Sequence, residues 1–79
     1  MARSCYYTNE GFAEDVDGRI VYNLALIEEG QPGYRVTHSD PDLSVVQNLA
    51  RVGNETAGLS ESDVLAIVAS SMAAGPVPR

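Results

Sequence analysis

The chain has 79 residues, enough for one small domain, and a formal net charge of −6 with 5 basic residues, all of them arginine. That balance argues against non-specific nucleic-acid binding, which rests on basic patches, and equally against docking on anionic membranes. A single cysteine, Cys5, excludes an internal disulfide, and one histidine with one cysteine does not make a structural zinc site.

Read from the N-terminus, Cys5 to Val16 forms a first strand region, interrupted around Asn9-Glu10-Gly11. Asp17-Gly18 is a preferred type I′ hairpin pair, because both central residues of that turn need positive φ. Arg19 to Glu28 is the strongest strand. Ile20, Tyr22, Leu24 and Leu26 fall on one face, and Val21, Asn23, Ala25 and Ile27 on the other, so the strand is central. Glu29-Gly30-Gln31-Pro32-Gly33 is dense in turn formers. Tyr34 to His38 alternates again and completes a three-stranded antiparallel β-meander lying within residues 4–38.

The second half is helical. Asp40 reads as an N-cap, Pro41 as the first helical residue and Asp42 as an acid at the positive end of the dipole. This helix runs over about 41–57, with Leu43, Val46, Leu49, Ala50 and Ala57 on one face. Gly53 inside it costs about 1 kcal/mol relative to Ala. Gly58 fits the C′ position and Leu59 the apolar contact after it. Ser60 and Asp63 then form a capping box for a second helix over 61–74, with Leu59 and Val64 as its hydrophobic staple. Gly75 and Pro76 stop it, and 76–79 form a frayed tail.

Between Val64 and Ala74 only Ser70 and Ser71 are polar, which makes the second helix an interior or interface element. The expected fold is therefore α+β, a single domain over 1–79. In it the meander is followed by an αα-hairpin packed on one face. Leu24, Leu26, Leu49, Leu65, Val68 and Met72 form its expected core, with Ile20 and Val46 close behind.

No residue pattern defines catalytic, cofactor-binding or metal sites. His38 adjoins Ser39 and Asp40, but adjacency in sequence is not triad geometry. Cys5 reads as a structural thiol. Glu14, Asp15 and Asp17 cluster at a turn without the ligand spacing of a calcium loop. Tyr6, Tyr7, Tyr22 and Tyr34 supply most of the aromatic surface, and tyrosines of this kind are core or protein-contact residues. These four tyrosines with Glu14, Asp15 and Asp17 make the candidate interaction surface. A chain this short buries only about 60% of its unfolded surface, so self-association is the stabilising device left open.

The stretch Gly58-Leu59-Ser60-Glu61-Ser62-Asp63-Val64-Leu65-Ala66-Ile67-Val68-Ala69-Ser70-Ser71-Met72 resembles the C-terminal segment of small accessory proteins encoded by actinobacterial phages. The Tyr-Tyr and Gly-Phe segments and Gly18-Arg19-Ile20-Val21 are similar too. Arginine without lysine, with abundant Ala, Gly and Val, fits a GC-rich coding genome of that kind. The resemblance implies a phage accessory product and carries no activity and no site residues. The expected function is a non-enzymatic one: contact with a host or phage protein, in a homodimer or larger homo-oligomer, without nucleic acid or membrane. The alternative is a small-ligand-binding or sequestering protein with a pocket between sheet and helices. Met1-Ala2-Arg3-Ser4 leads into polar residues rather than an apolar leader, and no apolar run is long enough to span a bilayer. Both point to the host-cell cytoplasm.

Overall fold

The structure is a computed structural model that describes residues 2–73. Its elements are β1 (Ser4–Tyr7), a 3-10 turn (Glu10–Phe12), β2 (Ala13–Val16), β3 (Arg19–Glu28), β4 (Arg35–Asp40), α1 (Leu43–Thr56) and α2 (Glu61–Ala73). The class is α+β, with four antiparallel strands in one sheet and two helices.

β3 organises the sheet. β1 pairs with its second half, from Ser4 opposite Glu28 to Tyr7 opposite Ala25. β2 pairs with its first half, from Ala13 opposite Tyr22 to Val16 opposite Arg19. β4 spans the overlap, from Asp40 opposite Tyr22 to Arg35 opposite Leu26, so β1 and β2 follow one another along one edge and β4 takes the other. The expected first strand is thus two strands, divided where Asn9-Glu10-Gly11 placed the break. The Asn9 side chain accepts from the Gly11 amide at 2.8 Å and holds the turn that loops out the extra residues. Asp17 at φ 54° and Gly18 at φ 79° supply the two left-handed residues of the β2–β3 hairpin.

The helices depart from the expected arrangement on a single face. Leu24 packs with Val46 and Ala50 of α1, joined by Tyr6 and Tyr22. Its neighbours Ala25 and Ile27 pack with Cys5 and with Ile67 of α2. Successive strand residues point to opposite faces, so α1 and α2 cover opposite faces of the sheet. Each helix packs on the strands rather than on the other helix. The short α1–α2 connection crosses the outer edge of β1: Asn54 of α1 bonds the Tyr6 backbone there, and the Leu59 side chain already packs on the α2 face.

Helix α1 begins two residues later than its sequence signals suggest. Its N-cap is Asp42, whose side chain accepts from the Ser44 amide at 2.9 Å. Asp40 stays in β4 and accepts from the Asp42 amide at 2.8 Å, so Pro41 sits in the turn rather than in the helix. The C-terminus follows expectation. Gly58 lies at φ 78°, its amide donates to the Glu55 carbonyl, and the Leu59 amide donates to the Asn54 carbonyl at 2.9 Å. Ser60 and Asp63 form the capping box: the Asp63 amide donates to Ser60 Oγ at 3.2 Å, and the Ser60 amide to Asp63 Oδ2 at 2.9 Å. The expected stop at Gly75 and Pro76 and the tail at 76–79 lie outside the described residues.

Leu24 and Val46 are buried as expected, and Leu26 and Val68 are half-buried. Ile20, Leu49, Leu65 and Met72 are exposed instead. The cause in α2 is its rotation. Val64, Ile67, Val68 and Ser71 face the sheet, which turns Leu65 and Met72 outward. In α1 the inward side is Val46, Ala50 and Asn54, which leaves Leu49 on the flank.

Candidate functional site

Two serines set the rotation of α2. Ser71 Oγ donates to the Gln31 carbonyl at 2.7 Å, and Ser70 Oγ accepts from the Gly30 amide at 3.1 Å. Both partners belong to the β3–β4 turn, whose backbone groups have no ladder partner there. Satisfying them with hydroxyls places the only two polar residues of the helix's second half toward the protein. The apolar remainder faces outward: Leu65 is 54% exposed and Met72 64% exposed, against 0% for Ile67. Beyond Asp63 the described part of α2 carries no charge.

This outward strip runs from Leu65 along the helix to Met72 and continues into an aromatic row. Phe12 lies edge-on to Tyr7 with ring centroids 5.9 Å apart, and to Tyr34 at 4.9 Å. Such edge-to-face contacts are favourable because ring edges are positive and faces negative. Tyr7, Phe12 and Tyr34, with Ile27, Val68 and Met72, wall a cavity of about 310 Å³ between α2 and the sheet. The Tyr7 hydroxyl accepts from Asn9 Nδ2 at 3.1 Å at its edge.

The residues of the candidate interaction surface are divided by the fold. Tyr7 and Tyr34 meet through Phe12 on the α2 face. Tyr6 and Tyr22 are half-buried under α1 on the other face. Glu14 accepts from Asn23 Nδ2 at 3.0 Å, Asp15 accepts from the Gly18 amide at 3.0 Å, and Asp17 sits in the hairpin turn. Glu14 and Asp15 are thus engaged with different partners, and no three metal-binding side chains converge among the described residues. His38 lines a groove with Leu24, Leu49 and Val52, whereas Ser39 turns to the opposite side of β4 and donates to Asn23 Oδ1 at 2.6 Å. His38, Ser39 and Asp40 therefore do not converge.

Charge is organised at the N-terminal end of the sheet. Arg3 bridges Glu29 at 2.8 Å and Asp63 at 3.2 Å, tying β1 to the end of β3 and the start of α2. Hydrogen bonding to Arg3 holds Glu29 below the usual carboxylate range, and Glu29 in turn raises Arg3. The Ser60 amide, Ser60 hydroxyl and Arg3 lower Asp63. Burial pushes the Cys5 thiol up, against a smaller opposing effect of Arg3.

Several residues that shape the site gave little sequence signal. Phe12 stands in the interruption between β1 and β2, and Ser70 and Ser71 looked like the sole breaks in an apolar helix. Asn54 did carry a signal: it is a polar residue spaced four and eight positions from Ala50 and Val46 on the buried face of α1. No protein-family model matches the chain, and no curated protein or solved structure matches it either. No helix among the described residues is long and apolar enough to cross a membrane.

Proposed function

We propose that the protein is a non-enzymatic phage accessory protein that acts by binding a host or phage protein through α2. The observation that carries this reading is the exposed strip Leu65–Met72, continued by Tyr34, in a chain of net charge −6. Acidic residues keep most of such a surface hydrated. A contiguous apolar strip with aromatic continuation is the composition of an interface core, where charged residues are depleted and Tyr and Met are enriched. Met72 is unbranched and Tyr34 is half-exposed, so both can adapt to a partner's shape. The cytoplasm of an actinobacterial host is the compartment this reading implies. The test is affinity capture from host lysate with wild-type and Leu65→Asp baits. A protein held by the first and lost from the second supports the reading, and identical captures from both refute it.

The aromatic cavity supports a second reading, a small apolar ligand held between sheet and α2. Its volume of about 310 Å³ lies at the small end of ligand pockets, and its walls are apolar and aromatic with a few polar groups at the rim. A thermal-shift screen with uncharged aromatic compounds tests it. Stabilisation that disappears in Phe12→Ala supports the pocket, and a screen without stabilisation refutes it.

A further inference from the structure

Strand β4 leaves its outer side open. Arg35 to Ser39 are exposed, and among the described residues no strand pairs with them on the side away from β3. An open edge is a template for another strand. The sequence of this one, Arg35-Val36-Thr37-His38-Ser39-Asp40, begins with a cation and ends with an anion.

In a regular strand Arg35 and Asp40, five positions apart, would point to opposite faces. Here the register slips between Leu24 opposite His38 and Ala25 opposite Val36, so Thr37 has no partner of its own on β3. This bulge shifts the phase. Arg35, opposite Leu26, and Asp40, opposite Tyr22, come to share the face that carries α1. A bulge usually blunts an edge; this one also makes the edge complementary to itself. A second β4 laid antiparallel and centred between Thr37 and His38 sets each Arg35 opposite the other copy's Asp40. It sets each Val36 opposite the other's Ser39. The two-fold axis lies normal to the sheet and maps each face onto itself, so both opposite-charge pairs form on the α1 side.

An independent feature lies on the same side. Val45, Leu49 and Val52 are exposed at spacings of four and three, a single stripe along α1. Leu49 and Val52 border the groove whose other wall is Thr37 and His38. The same two-fold axis turns the two α1 stripes toward each other over the joined β4 strands. We infer that the chain forms a two-fold dimer in which β4 pairs with β4 and the α1 stripes close over the seam. The occupant of the open edge is a second copy of this chain. This deepens the interaction reading by naming one partner, and it uses β4 and α1, leaving α2 free.

Sedimentation velocity over a micromolar concentration series tests it, with circular dichroism confirming that each variant folds. Wild type sediments as a dimer. Arg35→Asp and Leu49→Asp each weaken the dimer by roughly tenfold or more, and the double variant Arg35→Asp, Asp40→Arg recovers it. Hydrogen exchange at the Val36 and Ser39 amides slows as the dimer forms. A wild-type monomer across the series overturns the inference, as does a folded double variant that stays monomeric. A dimer indifferent to Arg35→Asp and Leu49→Asp but lost in Leu65→Asp overturns it too, while leaving protein contact through α2 standing.

Discussion

The carboxamide of Asn54 closes the outer edge of β1 at Tyr6. Its Oδ1 accepts from the Tyr6 amide at 2.8 Å, and its Nδ2 donates to the Tyr6 carbonyl at 2.8 Å. A helix side chain thereby takes the place of a neighbouring strand. The arrangement explains how two helices joined by a few residues come to lie on opposite faces: the chain turns over the edge at the point where Asn54 satisfies it. Asn54→Ala leaves two backbone groups without partners in a part-buried position, and an unsatisfied group costs about 1–3 kcal/mol. Denaturant unfolding of the variant is expected to show a loss of that order. Asn54→Asp is expected to lose stability as well, because a carboxylate can accept from the amide but repels the carbonyl.

Gly53 is needed for the same contact. A Cβ placed there would lie 2.6 Å from Tyr6 Cδ2 and 2.8 Å from Cε2, inside any tolerable distance. Helix propensity alone favours Gly53→Ala by about 1 kcal/mol, but overpacking of this kind costs about 1–3 kcal/mol. Gly53→Ala is expected to destabilise the wild type. In a Tyr6→Ala background, where the ring is gone, the same substitution is expected to stabilise. A double-mutant cycle reads the change of sign.

The capping box gives a third expectation. Ser60→Ala should lower stability by about 1 kcal/mol, and Asp63→Ala should also lower it, read as a fall in Tm.

Glu29 and Asp63 both lie below their ordinary values of 4.5 and 3.8. The unfolded chain therefore binds protons first as pH falls. The stability these groups contribute is complete above the ordinary carboxylate range and is lost as pH drops through that range and below the folded-state values. Unfolding midpoints measured from neutral pH downward should fall in that window. In Arg3→Gln the fall should be shallower, because Glu29 loses the partner that lowers it most.

Much of the local structure was legible in the sequence because local rules produce it. Asp17-Gly18, the break at Asn9-Glu10-Gly11, the Gly58 terminus and the Ser60–Asp63 cap each depend on a few adjacent residues. The packing was legible only in part: Leu24 and Val46 are buried as their patterns indicate, but the orientation of α2 was not readable. Helical periodicity alone cannot tell which side of α2 turns inward when nearly every side is apolar. The choice falls to Ser70 and Ser71, which answer backbone groups of a turn some 40 residues earlier in the chain. Likewise, Asp40 reads as a helix cap until the β3–β4 register shows it paired with Tyr22 as the last residue of β4, which leaves Asp42 to cap α1. The tyrosines of the candidate surface were separated by strand alternation across two faces, which residue counting does not reveal without the register.

Helix α2 turns Ile67 inward and Leu65 outward, and one comparison separates the packing role of the first from the contact role proposed for the second. Ile67→Ala and Leu65→Asp are unfolded in denaturant and used as baits side by side. Ile67 is fully buried, so its truncation is expected to cost about 2–5 kcal/mol. Leu65→Asp is expected to keep a near wild-type midpoint and to lose the captured protein. A midpoint for Leu65→Asp that falls by several kcal/mol, or a capture that survives it, would contradict the account.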